Sequence, residues 1–495
     1  MWCLLMPLLG GIYPVLLLYA NNSDILLLQS LLQVALLAVL PVVVFYVVFL
    51  GIVRRPIAAA NATFVFLLFF HTYGIVYTYW RTEGSFRMRH ETLLPIFAVL
   101  GLGASWLVSR LQAMPARRVW NSLALILGVL FIFNLARIIP VEAGKRMNLA
   151  PEAATAGVPA ASARAYPDIY LIIFDEFSGF EPMREYWHND EQVGAFVEFL
   201  QSNGFMIAEQ SHSRSIMTLH QVATRLNYEE LPCDPQGHRS RLSCDSKYRR
   251  IWFQRIADNR AMRYLKSKGY STVVFEELSG IDGFEAMPSI LADYTFKPET
   301  EVPSGLTSWF DEFGIFVTDN TMLRAFPAWY SGNNFSLQQH RDMVKYTIRK
   351  IGRLDEVPSP RFAYVHLMLP HKPFMYDENG GPLPVRYRAN WNYYLGQYNY
   401  TLKVARKIVN NILRASDPER PPVIILQSDH GARNIKNAPT TVVLDNFPDE
   451  YKTSILFALH LPGFDPSDLP QDVNPDNTFP IVFNHVFGDD IPLAK

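Results

Sequence analysis

The 495-residue sequence has no excess of charge, few cysteines and no internal repeat. Its formal net charge is −1, so no overall field favours binding to nucleic acid or to an acidic partner. Cys3 lies in an apolar N-terminal run, which leaves Cys233 and Cys244 in the polar part of the chain. These two bracket a short loop rich in Pro, Gly, Ser and Arg. This pattern favours a disulfide formed in an oxidising compartment over two free thiols.

Long apolar runs are abundant, but only near the N-terminus. A helix needs about 20 residues to cross a bilayer, and five spans are predicted, near Trp2–Ala20, Ile25–Val53, Ile57–Trp80, Leu93–Val108 and Trp120–Ile139. The first could instead be a signal peptide, but it lacks a basic start and a clear cleavage site. We therefore predict a transmembrane domain over residues 1–140, an Ala- and Pro-rich linker over 141–166, and a soluble catalytic domain over 167–495.

Arginines in the short loops predict the orientation in the membrane. With five spans, one side carries five loop arginines, which are Arg54, Arg55, Arg110, Arg117 and Arg118. The loops on the other side carry three, all within residues 81–89. Because cytoplasmic loops are the more basic ones, the C-terminal domain is predicted to lie on the extracytoplasmic side.

The C-terminal part alternates strand-like and helix-like segments. Asp168–Phe174 is a continuous apolar run, as expected for a strand buried on both faces. Glu191–Asn203 is an amphipathic helix followed by Gly204. Helices and strands then alternate at Asn259–Lys268, Ser271–Phe275, His340–Leu354, Arg361–Met368, Trp391–Arg414 and Val423–Gln427. This order predicts an α/β/α domain with a mostly parallel central sheet, in which ligands bind at the carboxyl ends of the strands.

Polar residues follow three of these predicted strands. Asp175 follows the first, His371 follows the strand that contains His366, and Asp429 and His430 follow the last. Each alone could be a helix cap or a solvated turn. Together they would supply carboxylate and imidazole ligands at one edge of the sheet. Such a set suits a divalent cation, with zinc or manganese favoured over calcium, which prefers more oxygen ligands.

The segments around these residues resemble the sulfatase/alkaline phosphatase superfamily. In the order of that family, they are YPDIYLIIFD at 166–175, HLMLPHKPF at 366–374, SDHG at 428–431 and NTFPIVFNHVFG at 477–488. With five preceding spans, the chain resembles the phosphoethanolamine transferases and lipoteichoic acid synthases of bacterial envelopes. The resemblance implies a sulfatase-like domain outside the cytoplasm, held by a multi-pass anchor in a bacterial inner or plasma membrane.

The resemblance also implies a hydroxyl nucleophile that ligates the metal at the start of a helix. Thr218, nine residues before Asn227, fits the spacing of the family, with Ser213 and Ser215 as alternatives. A hydroxyl bound to a divalent cation loses its proton more easily, and a helix N-terminus favours the resulting alkoxide. Residues 220 and 221 are His and Gln, where the family commonly has smaller residues.

These observations predict transfer of a phospho-group from a membrane phospholipid to an envelope glycan or lipid. The metal is predicted to be held by Asp175, Thr218, Asp429 and His430. His371 is predicted to act in catalysis beside Thr218. Arg214 and Lys372 are predicted to bind the anionic substrate. Two alternatives stay open. One is hydrolysis of a sulfuric ester or phosphodiester by water, and the other is an inactive sulfatase-like scaffold for envelope assembly. Formylglycine is not expected, because the Cys-x-Pro-x-Arg motif that yields it would need Arg at Gly237.

Overall fold

The computed structural model describes residues 2–23, 28–82, 89–111, 114–148, 166–234, 242, 244, 248–275, 288–298, 312–325, 331–372, 374–386, 391–433 and 449–494. The chain divides into two compact units. The first comprises residues 1–151, 280–285 and 300–336, and the second comprises residues 152–279, 286–299 and 337–495.

The first unit contains five N-terminal helices, α1 (Trp2–Asn21), α2 (Leu28–Val53), α3 (Pro56–Thr82), α4 (His90–Arg110) and α5 (Met114–Asn148). Four of them contain segments long and apolar enough to cross a membrane, at Ser30–Val53, Pro56–Tyr77, His90–Arg110 and Val119–Ala143. The first predicted span falls on a shorter apolar segment, Leu5–Asn21, which packs against α2, α3 and α5.

Two features of this unit differ from the sequence-based boundaries. Helix α5 continues through Pro140 to Asn148, so the first eight residues of the predicted linker are helical. Helix α11 (Glu312–Asp319) belongs to the first unit, although it lies within the range predicted for the catalytic domain. Its Phe313 packs edge-on against Tyr19 at 5.9 Å between ring centroids, and burial of such apolar side chains explains why the segment packs with the helices.

The second unit is built on a seven-stranded sheet of order β2-β9-β8-β1-β5-β3-β4. The strands are β1 (Ile169–Phe174), β2 (Met206–Ile207), β3 (Ser271–Phe275), β4 (Tyr294–Phe296), β5 (Arg361–Leu367), β8 (Val423–Ser428) and β9 (Phe457–His460). Neighbouring strands from β8 to β4 run parallel, whereas β9 and β2 join antiparallel. A separate hairpin pairs β6 (Phe374–Tyr376) with β7 (Pro382–Arg386). The predicted mostly parallel sheet is confirmed.

Helices cover both faces of this sheet. They are α6 (Phe180–Glu185), α7 (Asp190–Ser202), α8 (Thr218–Asn227), α9 (Arg249–Ala257), α10 (Arg260–Ser267), α12 (Ser331–Lys350), α13 (Trp391–Ala415), α14 (Asp449–Thr453) and α15 (Thr478–Phe487). Alternate β1 residues such as Ile172 join one core with α7, α12 and α13. The opposite face is also buried, and there Phe362 of β5 contacts Phe479 of α15. The α/β/α arrangement explains why β1 is apolar along its whole length and β8 is apolar over residues 423–426.

Candidate metal centre

The carboxyl ends of neighbouring strands bring the predicted ligands together. Strand β1 lies between β5 and β8, and Phe174 pairs with Ser428 in the parallel register. The residues that follow these strands therefore reach the same edge of the sheet. Asp175 follows β1, and Asp429 and His430 follow β8. One ligand atom from each of these three residues lies within 4.8 Å of the others, and all three side chains are buried.

The two ligand candidates after β8 face each other without a hydrogen bond. Asp429 Oδ1 accepts from the backbone N–H groups of Glu176 (2.9 Å) and His430 (2.8 Å), whereas the buried Oδ2 accepts none among the described residues. Oδ2 lies 3.3 Å from His430 Nε2. Two ligands of one tetrahedral zinc ion are separated by about 3.3 Å when each lies about 2.0 Å from the metal. His430 Nδ1 contacts Gly431 O at 2.8 Å, which leaves Nε2 facing the site. The residues fit a divalent ion.

The charge states of this group also suit a cation. Burial opposes ionisation of Asp429, but the charged forms of His430 and His366, together with hydrogen bonds from Thr218 and the backbone N–H of Glu176, lower the pKa of this carboxyl below its ordinary value. Burial lowers the pKa of His430 to about 4. At neutral pH the site therefore presents an ionised carboxylate and a neutral imidazole, the forms that coordinate metals.

Thr218 stands at the first residue of α8, and this predicted helix start is confirmed. Its Oγ1 lies 3.4 Å from His430 Nε2. The first backbone N–H groups of a helix have no partner within it, so α8 directs positive potential toward the Thr218 hydroxyl. The alternative hydroxyls have other contacts: Ser213 Oγ donates to Ser215 O at 3.0 Å, and Ser215 Oγ lies 3.0 Å from His220 Nδ1.

Two residues of this segment differ from those common in the family, and both of them, His220 and Gln221, are buried. They form hydrogen bonds that stabilise the turn before Thr218. Gln221 Nε2 donates to Ser215 Oγ at 3.0 Å, and His220 Nε2 contacts Leu231 O at 3.2 Å. None of these hydrogen bonds involves Asp175, Asp429 or His430. His220 also lies near the sulfurs of residues 233 and 244. Those cysteines form the predicted disulfide, so this second group of possible ligands is accounted for.

A second pair of titratable residues lies beside the ligands. His371 Nε2 is 3.6 Å from Glu176 Oε2, and Glu176 Oε1 accepts a 2.8 Å hydrogen bond from the backbone N–H of Arg433. Burial lowers the pKa of His371 well below its ordinary value and raises the pKa of Glu176 to about 7. His371 is therefore neutral near pH 7. Its Nδ1 contacts the carbonyl oxygen of Lys372 and must carry the ring proton, so Nε2 is a hydrogen-bond acceptor.

The predicted substrate-binding cations differ in their surroundings. Arg214 Nε donates to the buried Asp476 at 2.9 Å, and Arg214 also pairs with Glu230 at 3.2 Å, so its charge is balanced. Lys372 lies close enough to Glu176 for its charge to lower the pKa of that carboxyl. Sequence reasoning did not single out Arg433, whose guanidinium contacts Ile216 O in the turn before Thr218. Its only local signal is its position three residues after His430.

His366 lies within β5, where a histidine is ordinarily a packing residue. Its Nε2 lies 3.7 Å from Asp175 Oδ2, with both side chains buried. His366 is therefore next to a predicted ligand. The sequence gives little signal for this contact, because a histidine inside an apolar strand is more often satisfied within the core.

The raised pKa of Glu176 predicts a pH dependence of stability. Its pKa is about 7 in the folded chain against an ordinary 4.5, so folding favours the protonated form, and stability falls as pH rises from about 4.5 through 7. In metal-free protein the ionised carboxyl costs about 3 kcal/mol at pH 8. Glu176→Gln cannot ionise, so its Tm should exceed that of the wild type by several degrees at pH 8 and match it at pH 4. A Tm difference that does not change with pH would contradict this assignment.

Several solved structures are similar to this chain. It is similar to the C-terminal periplasmic domain of EcEptC from Escherichia coli in complex with Zn, with 13% identity, 65% of this chain and 82% of that chain covered, and a TM-score of 0.40. It is also similar to a protein in the alkaline phosphatase superfamily from Vibrio parahaemolyticus, with 12% identity, 69% and 73% covered, and a TM-score of 0.39. The lipoteichoic acid synthase LtaP from Listeria monocytogenes has 14% identity, 68% and 77% covered, and a TM-score of 0.38. No protein-family model and no curated protein matches the sequence.

Proposed function

We propose that the protein is a membrane-bound, metal-dependent enzyme that transfers a phospho-group through a covalent intermediate on Thr218. One observation carries this proposal: a hydroxyl at a helix N-terminus lies 3.4 Å from His430 within a buried group of two carboxylates and an imidazole. Such a group combines a nucleophile, cation ligands and a helix dipole at one point. The sequence segments that resemble the sulfatase/alkaline phosphatase superfamily support the same proposal.

Asp175, Asp429, His430 and Thr218 would hold the divalent ion, with zinc or manganese favoured by the mixed nitrogen and oxygen ligands. When bound, the ion supplies charge that stabilises the phosphoryl oxygens and lowers the pKa of the hydroxyl. Main-chain contacts hold one of these ligands, since Asp429 accepts hydrogen bonds from the N–H groups of Glu176 and His430. Among the described residues, the group offers few ligand oxygens, which favours zinc or manganese over calcium.

In the proposed reaction, Thr218 Oγ forms a bond to phosphorus while the bond from phosphorus to the glycerol oxygen of the lipid donor breaks. The hydroxyl proton leaves Thr218, and the departing lipid oxygen takes up a proton. An acceptor hydroxyl of an envelope glycan or lipid then attacks the phosphothreonine and restores Thr218. Neutral His371 would accept a hydrogen bond from the acceptor hydroxyl through Nε2. Lys372 and Arg433 would balance the charge of the transferred group.

The donor is proposed to be a membrane phospholipid. The first unit has four helices long and apolar enough to cross a bilayer, which would hold the chain among lipid headgroups at high effective concentration. The disulfide between Cys233 and Cys244 supports an extracytoplasmic location for the second unit, because disulfides persist in oxidising compartments. The arginine distribution in the N-terminal loops favours the same side.

Metal removal tests this function directly. Full-length protein in detergent would be given phospholipids with a 32P-labelled headgroup, either phosphatidylethanolamine or phosphatidylglycerol. We expect EDTA to lower formation of the labelled protein adduct by at least ~100-fold and zinc or manganese to restore it, because the ligand group would lose its cation. Label that passes only to water would make the protein a hydrolase. A protein that binds no metal and forms no adduct would contradict the proposal and favour a scaffold.

A further inference from the structure

A buried arginine connects the helix that carries Thr218 to the strand end that carries Asp429. Arg225 lies on α8 and is 1% exposed. One guanidinium nitrogen donates to Ser428 O at 2.6 Å and the other donates to Asp429 O at 2.9 Å. The sequence separation of these contacts exceeds 200 residues. Among the described residues Arg225 forms no ion pair, and both of these hydrogen bonds go to main-chain carbonyl oxygens.

The geometry of α8 places this fork on the same side as the hydroxyl. Thr218 and Arg225 are seven residues apart, which is about two helical turns, so both side chains leave one face of the helix. At one end of that face Thr218 lies next to His430. At the other end Arg225 donates hydrogen bonds to the carbonyl oxygens of Ser428 and Asp429. The distance from the Thr218 hydroxyl to the ligands after β8 is therefore set by a rigid helix bound at two points.

We infer that Arg225 is a positioning residue that fixes Thr218 and the Asp429–His430 turn in the geometry required for metal binding and attack. This inference rests on the proposed function and adds the residue that connects the helix carrying Thr218 to the turn carrying Asp429 and His430. A planar guanidinium can donate to two successive carbonyls at once, whereas the single ammonium of lysine lacks that fork. Breaking the fork leaves a buried carbonyl unsatisfied and releases the turn from α8.

The test uses full-length protein in detergent with Arg225→Lys and Arg225→Gln. The matched control is Arg255→Lys on α9, where the side chain is 47% exposed and pairs with Glu229. Zinc affinity would be measured by chelator competition, and turnover by bis(p-nitrophenyl) phosphate at saturating zinc. We expect each Arg225 variant to lower zinc affinity by about 10- to 100-fold. At saturating zinc, kcat should remain about tenfold lower with KM nearly unchanged, because Thr218 is misplaced.

The outcomes separate this inference from the proposed function. Wild-type zinc affinity and kcat in a folded Arg225 variant would overturn the inference alone. Failure of both variants to fold, judged by circular dichroism and Tm, would make Arg225 a structural residue and also overturn it. Wild-type protein that binds neither zinc nor manganese would overturn the proposed function and this inference with it. The Arg255→Lys control should match the wild type in every measurement.

Discussion

Thr218→Ala is expected to abolish turnover and the covalent phospho-adduct, with kcat/KM reduced by at least ~10³-fold. The substitution removes the oxygen that lies 3.4 Å from His430 Nε2, and no other atom of residue 218 can attack phosphorus. The helix should remain, since alanine is a strong helix former and the N-cap residue is Met217, which is unchanged. Turnover of a labelled phospholipid and mass spectrometry of the trapped protein would measure both effects.

Three variants serve as controls for this result. Thr218→Ser retains a hydroxyl at the same position and should keep measurable activity and a phosphoserine adduct. Ser213→Ala and Ser215→Ala remove the alternative hydroxyls, whose contacts lie within the turn before α8. Full adduct formation in Thr218→Ala, or its loss only in one of the serine variants, would show that the nucleophile has been assigned to the wrong residue.

The strands that position the site could be predicted because their environment is reflected in composition. β1 and β8 are central strands covered on both faces, so every residue in them is buried. The sequence is apolar throughout β1 and over residues 423–426 of β8. Polar residues immediately after such runs stand out. Parallel neighbours then place them at one edge of the sheet. Asp175, Asp429 and His430 could be proposed on these grounds before any distance was known.

Residues that act across long sequence separations could not be predicted in the same way. Arg225 contacts the carbonyls after a strand more than 200 residues away, and a helical arginine ordinarily faces water. His366 lies inside a strand and differs from a core histidine in having the carboxyls of Asp175 and Asp429 nearby. The same limit applies to α11, whose burial against the N-terminal helices is a tertiary effect that local pattern does not encode. Local periodicity reports which face is buried, but not which partner buries it.

Asp429→Asn is expected to remove zinc binding while preserving the fold of the metal-free protein. The amide oxygen of asparagine can still accept the backbone hydrogen bonds from residues 176 and 430, which are the contacts made by Oδ1. The change instead removes the negative charge and replaces the buried Oδ2, which faces His430 Nε2 at 3.3 Å, by a group that cannot ligate a cation. We expect zinc affinity to fall by at least ~100-fold and turnover to fall with it.

Thermal unfolding provides the readout, because a ligand that binds only the folded state raises its stability by mass action. With zinc at 100 times its Kd, the wild-type protein should gain about 2.7 kcal/mol and a corresponding rise in Tm, whereas Asp429→Asn should gain almost nothing. Asp449→Asn is the matched control, since Asp449 has a 55% exposed side chain and pairs with Lys452 on the surface. It should retain the full zinc-dependent shift. A shift in Asp429→Asn equal to that of the control would mean that the cation is held by other residues.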